Sequence, residues 1–586
     1  MDAAIRGGYA LRILSINNID FTPPPRDESL FLVLGSLSMI FLQYFTKKRD
    51  QNMLKLVFSK NAATTNFQEL RQQTFLAFNG LNAFYGGSNQ DYRAIKENKS
   101  FPVTIDFNTA NRHIAVLGGS GTGKSSGVLR PAALRLLESG CSGIILDWKG
   151  DFHNLYKFYP NRIYFINPDI DGPCINLLGG MSENEILTFL STVKTRNKHQ
   201  PYFGSKANSI IRFVIRTFFL LNKPVTLASI YRALASPRSD FAVFFDRLLD
   251  RYDLGCLPRD YRAMIRAQYS DPFSILKIGG SKHLQKYESR SEVAVKKSSH
   301  SSDAANQFEW QVGCIKAALE PFESEERVRT SLCAEITTDD LDLENLIYKD
   351  RKTLVIHIKP DRYGNAAPIV NRLLRTRLIA AMKSAAPDLL DESGGLGREW
   401  YTFMLADEYQ NTCMLKSSDN ESFYYDDLSW FSEAREFGHI NIIGMQGVSS
   451  LLSACGNEKS KAVSTLLLNA ATLISFASCD TETLDEIASR VPSMQKEEVT
   501  SHVSSSLPTG TAIVVCHFAG TQGAFKVSTD AGHYGAWMQL QDKWLSKSNL
   551  LISSSKIKEL SPAQMHKKLV EADERMRKEL EIDIPF

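Results

Sequence analysis

None of the nine cysteines, at 141, 174, 256, 314, 333, 413, 455, 479 and 516, belongs to a C-x-x-C pair. That scatter suits neither a disulfide framework nor a zinc site, and it points to a body kept in a reducing compartment. Cys141, Cys479 and Cys516 sit in or beside apolar runs and are expected to be small core residues. An excess of one charge is missing as well. With 68 Lys and Arg against 65 Asp and Glu, the net charge is +3 over 586 residues, so no global nucleic-acid signature exists and any basic surface is local. Basic and aromatic residues do not alternate along the chain either. Long apolar runs are scarce. The strongest, Leu30 to Phe45, is uncharged but spans about 24 Å at ~1.5 Å per residue, against a hydrocarbon core of roughly 30 Å. It crosses a bilayer only with local thinning or help from its flanks. Lys47, Lys48, Arg49, Lys55 and Lys60 follow it with a single Asp among them, which orients a single-pass span with the large C-terminal body in the cytoplasm. No small-residue cleavage site follows the run and no compact basic region precedes it, which argues against a cleaved signal peptide. A buried or interfacial helix is the other reading.

What is present describes an ordinary folded protein, 43% apolar and 23% charged, and long enough for two or more domains. Its most specific stretch is Gly118-Gly119-Ser120-Gly121-Thr122-Gly123-Lys124-Ser125, which fits the phosphate-cradling pattern G-x-x-x-x-G-K-[ST] at every fixed position. A short apolar run, His113 to Leu117, precedes it. Ser125 to Ser139 follows with Val128, Leu129, Ala132, Leu136 and Leu137 at helical spacing. Strand, glycine loop and helix together predict a nucleoside triphosphate site in which backbone N–H groups from Gly118 to Ser126 face the phosphates. Lys124 reaches the β and γ oxygens, and Ser125 offers its hydroxyl to Mg²⁺.

Residues 101–185 alternate strand and helix patterns, as in a parallel sheet covered on both faces. Ser142 to Asp147 is the next strand, then the turn Trp148-Lys149-Gly150-Asp151, then a strand at Arg162 to Asn167. Asp147 either faces the ligand crevice at a strand end or simply closes the strand into its turn. From about 186 to 345 helical patterns dominate, including Ser209 to Leu221 and Leu227 to Ala235. Lys282 to Asn306, rich in Ser and Lys, reads as an exposed loop. Strand patterns resume at Thr353 to Ile358 and Tyr401 to Ala406, with a helix around Ile369 to Met382 between them. The sheet is therefore expected to be completed from both sides of an all-helical insertion. Asp407-Glu408 closes the second of these strands. One carboxylate would hold Mg²⁺ or its water and the other would orient or deprotonate the attacking water. Asn441 to Met445 ends in Gln446, either a γ-phosphate sensor or a solvated strand end.

The ordered set GGSGTGKS (118–125), ILDWKGDF (145–152), INPD and INLLGG (166–180), MLADEYQ (404–410), AREFG (434–438) and IIGMQGVSSL (442–451) resembles the coupling ATPases of type IV secretion and conjugation. These belong to the ring-forming DNA pumps that include chromosome-segregation and archaeal end-resection translocases. The acidic, Thr-containing stretch Thr481 to Ser489 resembles one of the family's helices too. The resemblance covers about residues 100–530. It implies an α/β fold with a RecA-like P-loop NTPase domain and a mostly parallel sheet, interrupted by the inserted all-α domain and preceded by a membrane anchor. It also implies ATP and Mg²⁺ as ligands, Lys124 and Ser125 as phosphate and metal contacts, Asp407 as metal carboxylate, Glu408 as base and Gln446 as sensor. Arg435 matches a finger that a neighbouring subunit supplies in trans, the alternative being a helix-surface Arg paired with Glu433 or Glu436. Implied partners are single-stranded DNA and its relaxase, the type IV secretion channel components, the bacterial inner membrane and further copies in a homo-hexamer.

Two departures stand out. Family members usually begin with two spans, whereas this chain shows at most one, and where they commonly have Asp-Pro-Lys-Gly-Glu this chain has Asp147-Trp148-Lys149-Gly150-Asp151. The expected organisation is an N-terminal segment 1–50 with the candidate span 30–45, a nucleotide-binding domain in two parts at 51–185 and 346–531, the insertion 186–345 and a helical tail 532–586. Within the tail, Met565, Leu569, Met576 and Leu580 beside alternating charges make an amphipathic helix. Three functions fit this reading: a DNA motor, a receptor and ATPase for protein effectors, or a nucleotide-gated scaffold. Keeping both Asp407 and Glu408 argues against the last.

Overall fold

Strands that are apolar on both faces need cover on both faces, and the centre of the molecule is built that way. The computed structural model describes most of residues 67–235, 313–385, 400–415 and 426–529. The apolar run 30–45, the Ser- and Lys-rich segment 282–306 and the tail 532–586 lie outside the described residues. Among the described residues no helix is long and apolar enough to cross a membrane.

The strands are β1 (Thr74–Tyr85), β2 (Phe101–Asp106), β3 (Ile114–Leu117), β4 (Ser142–Leu146), β5 (Ile163–Ile166), β6 (Thr353–Ile356), β7 (Thr402–Ala406), β8 (His439–Met445), β9 (Thr472–Ser475), β10 (Thr511–Cys516) and β11 (Gly523–Ser528). They form one 11-stranded sheet in the order β2-β1-β11-β10-β9-β3-β8-β7-β4-β6-β5. From β9 to β5 all neighbours are parallel. At the other end β10, β11, β1 and β2 form an antiparallel wing, joined through β10 to β9.

Alternation of side chains along each strand divides the core into two layers. Ala115, Leu117, Ile144, Leu146, Met404, Ala406, Ile443 and Met445 face one way, while Ile114, Val116, Ile145, Phe403, Leu405 and Ile442 face the other. On the second face they meet Val128, Leu129, Leu136 and Leu137, from the helical turn Ser125–Leu129 and from α1 (Arg130–Glu138). Between β5 and β6 the chain runs through α2 (Glu183–Thr192), α3 (Pro201–Leu220) and α4 (Leu227–Ala235). Ile186, Leu190, Ile211, Val214 and Ile230 from these helices share one apolar cluster with the first sheet face and with Leu373, Leu374 and Leu378 of α5 (Ala366–Ala385). Burying each such side chain stabilises the fold by roughly 1.5–3 kcal/mol.

Strand β7 is fixed from behind by a buried charge pair. Arg375 on α5 is ion-paired with Asp427, the first residue of α6 (Asp427–Glu433), and both are shielded from solvent. Asp427 Oδ2 also accepts the Tyr409 hydroxyl at 2.5 Å and the Met414 amide at 2.7 Å. Tyr409 stands directly after Asp407-Glu408, so the pair ties the exit of β7 to the helices that cover it. Removing one partner of such a pair leaves a buried charge uncompensated and costs about 3–5 kcal/mol. The Asp427→Asn chain should therefore show a lower urea midpoint, by an amount equivalent to about 3 kcal/mol or more; an unchanged midpoint would contradict the role given to this pair.

Candidate nucleotide site

Parallel strands put their carboxyl ends on one edge, and loops leaving that edge form the ligand crevice. Here β3, β8, β7 and β4 are consecutive neighbours, so the phosphate loop, Gln446, Asp407-Glu408 and the Trp148 to Asp151 turn emerge side by side. The loop needs glycine at three positive-φ positions: Gly118 at 150°, Gly121 at 76° and Gly123 at 108°. At Gly118 a Cβ would also lie 2.7 Å from that of Phe476. The Gly118 amide donates to Met445 O at 3.3 Å and the Gly119 amide to Ala477 O at 3.4 Å, which fixes the loop mouth against β8 and the exit of β9. Thr122 Oγ1 donates to Gly119 O at 2.8 Å and Ser126 Oγ to Gly123 O at 3.5 Å, while Ser120 and Gly121 are exposed. Lys124 is buried, and its ammonium donates to Gly118 O at 2.7 Å and Gly119 O at 3.3 Å. Burial lowers its pKa, opposed by the negative charges of Glu408 and Asp407. Ser125, half-buried, opens the helical turn that continues into α1.

Across from the loop, Asp407 is fully buried and its Oδ1 accepts the Glu408 amide at 3.0 Å. Its Oδ2 is buried with no hydrogen-bond partner among the described residues. The carboxyl is pushed up to about 6 by burial first, with Glu408 and Asp151 adding to the rise and Lys149 and Lys124 opposing it. A buried carboxylate oxygen without a partner, across from the loop that carries Ser125, fits a hard divalent cation, and the Lys124 ammonium beside it fits a phosphate. Glu408 differs. It takes a left-handed φ of 51°, and its carboxylate is engaged by Lys149 and Gln410 and by Gln446 Nε2 at 3.1 Å. Burial raises its pKa, but the hydrogen bonds from Lys149 and Gln410 and the charges of Lys149 and Lys124 outweigh that and hold it below the usual range.

The structure thus brings Lys124, Ser125, Asp407, Glu408 and Gln446 to one edge, and it leaves Arg435 at the other. Arg435 is exposed at the amino end of β8, with its carbonyl accepting Asn111 Nδ2 at 3.3 Å just ahead of β3. β8 has 7 residues, about 23 Å of strand at ~3.3 Å per residue, so Arg435 cannot touch its own chain's phosphate loop. Asp147 turns out to close its strand: Oδ1 accepts the Gly150 and Asp151 amides at 2.8 Å each, and Oδ2 accepts that of Phe152 at 2.9 Å. The residue that sequence reasoning passed over is Lys149. Its sequence signals are a Lys in the turn after a strand-ending Asp and its match to the Lys of the Asp-Pro-Lys-Gly-Glu stretch common in the family that the sequence resembles.

Residues 93–212 match the family model described as the central domain of helicase HerA. The phosphate loop, β3, β4 and the Asp147 to Asp151 turn all fall inside that match. That stretch therefore carries a P-loop similar to the one in the HerA central domain. Asp407, Glu408 and Gln446 lie beyond the matched residues and join the domain through β7 and β8. Among solved structures, the plasmid coupling protein TrwB in complex with the ATP analogue ADPNP is similar at 17% identity, over 73% of this chain and 88% of that one, with a TM-score of 0.46. TrwB with ADP and Mg²⁺ is similar at 16% identity, over 78% and 95%, with a TM-score of 0.47. VirB4 of Thermoanaerobacter pseudethanolicus is similar at 12% identity, over 74% and 94%, with a TM-score of 0.43. No curated protein matches the chain.

The raised Asp407 pKa has a signed consequence for stability. Because the folded chain holds this proton more tightly than the unfolded one, the penalty is absent below about pH 4. It grows as pH rises to about 6 and then stays at on the order of 2–3 kcal/mol. Asp407→Asn removes the buried charge and keeps an acceptor for the Glu408 amide. Without nucleotide or metal, the variant should melt higher than the unsubstituted chain at pH 8, with the gap closing as pH falls toward 5; equal or lower melting at pH 8 would contradict the assignment.

Proposed function

We propose that the chain is a coupling ATPase of a bacterial type IV secretion or conjugation system, moving single-stranded DNA with its attached relaxase toward the secretion channel. The observation that carries this reading is the convergence of Lys124, Ser125, Asp407, Glu408 and Gln446 on one sheet edge, with Arg435 exposed at the opposite end. That separation suits a ring in which each subunit's Arg435 serves its neighbour. The proposed ligands are ATP and Mg²⁺; the TrwB structures hold an ATP analogue and ADP with Mg²⁺.

In this reading the loop amides and Lys124 would hold the phosphates, and Ser125 and Asp407 would hold Mg²⁺, which would supply charge neutralisation at the phosphates. Glu408 takes the proton of the attacking water, and Gln446, bonded to Glu408, links the base to the exit of β8. Arg435 supplied in trans makes hydrolysis depend on assembly, an effect of order 10³–10⁵ in rate for such fingers. We assign the nucleotide-binding domain to 51–185 and 346–531, the insertion to 186–345 and the inner-membrane anchor to the run 30–45, with the body in the cytoplasm and the assembly a homo-hexamer.

A ring that grips a polyanion contributes several Lys or Arg to phosphates at once, and log affinity for single strands then falls with log salt at about −0.7 per phosphate neutralised. ATP hydrolysis by the full chain should rise more than linearly with protein concentration and be stimulated by single-stranded DNA, with little dependence on base sequence. Binding should show a salt slope of several units. Flat binding without stimulation in the assembled protein would overturn DNA cargo and favour the receptor for protein effectors.

A further inference from the structure

The turn after β4 does more than connect elements. Asp147 clamps it by accepting three backbone amides. Trp148 packs against the apolar cluster on one sheet face, and Asp151 is ion-paired at 2.6 Å with Arg130, the first residue of α1. His357 Nδ1 lies 2.9 Å from Asp147 O, and its ring sits against Gly150, whose φ is 86°. Four attachments on a stretch of five residues leave it little freedom. Lys149 projects from this bracket, its side chain 38% exposed at the rim, and its ammonium pairs with the carboxylate of Glu408, which is 3% exposed.

We infer that Lys149 is the positioning residue for Glu408, setting the carboxylate of the base through an ion pair from the rigid Asp147 to Asp151 turn. The inference rests on the ATPase reading above. Glu408 begins in a left-handed backbone conformation that its residue type disfavours, so its side chain is aimed by its partners. A carboxylate offers about four lone-pair sites. Lys149 takes one on Oε1, and Gln410 and Gln446 take two on Oε2, which leaves one on Oε1 for a water. Lys149 therefore selects which oxygen faces the reaction and holds it there. Because Asp151 reaches α1, the same turn couples the helix behind the phosphate loop to the base. Lys149 needs no contact with nucleotide to act in this way, and that separates it from Lys124.

The test is steady-state ATP hydrolysis by the full chain, at protein concentrations that saturate its assembly, for Lys149→Met and Lys149→Arg. A positioning role predicts that Lys149→Met lowers kcat by roughly 10- to 100-fold, with KM within about threefold of the unsubstituted value. Lys149→Arg, which keeps the cation, should restore most of the loss, and equilibrium binding of ADPNP should be the same in all three proteins. Unchanged or faster turnover in Lys149→Met overturns the inference, as does a loss that Arg fails to rescue. A rise in KM with kcat unchanged overturns it too, making Lys149 a phosphate contact. Absence of hydrolysis in the unsubstituted chain would instead sink the ATPase reading itself, so the two failures are distinguishable.

Discussion

Keeping a carboxylate ionised away from water is the constraint on which this molecule depends. Asp407 sits at the end of a strand buried on both faces, where desolvation opposes its charge. One of its oxygens has no hydrogen-bond partner among the described residues. On the proposed function, a bound cation would supply the partner that this oxygen lacks, so ligand binding and local stability would be linked. The same low-polarity setting strengthens the interactions of Lys124 and Lys149 with the carboxylates beside them.

The surrounding structure serves to hold this edge still. β3, β8, β7 and β4 are neighbours in the sheet, and their alternating side chains lock two apolar layers together. Outside the strands, polar anchors do the remaining work. Arg375 and Asp427 fix the exit of β7 through Tyr409, and Asp147 shapes the turn that carries Lys149. Arg435 is exposed at the opposite end of the sheet, away from the phosphate loop.

The parallel half of the fold and most of the site were legible in the residues. Short apolar runs ending in Gly118, Asp147, Asp407-Glu408 and Gln446 are what strands buried on both faces look like, and the phosphate loop demands glycines whatever the context. The antiparallel wing was not legible. Thr74–Tyr85 is broken by Asn79-Gly80 and Asn82 and pairs with β11 through two register shifts, a partner far away in sequence. Gly80 reads as a breaker, yet it is there because the Phe101 ring lies 2.4 Å from where its Cβ would stand. Two site roles also depended on tertiary structure. Whether Asp147 faced the crevice or its own turn is decided by three amides that only the folded turn presents. The contact of Lys149 with Glu408 exists because β4 pairs with β7, which no local pattern announces.

The central claim, that this sheet edge hydrolyses ATP with Glu408 as its base, is tested most directly by single-turnover hydrolysis of ATP with Mg²⁺ in the full chain and in its Glu408→Gln variant. The account predicts turnover in the first and a loss of about 10²-fold or more in the second, with ATP binding retained. Hydrolysis at the unsubstituted rate in Glu408→Gln would contradict it.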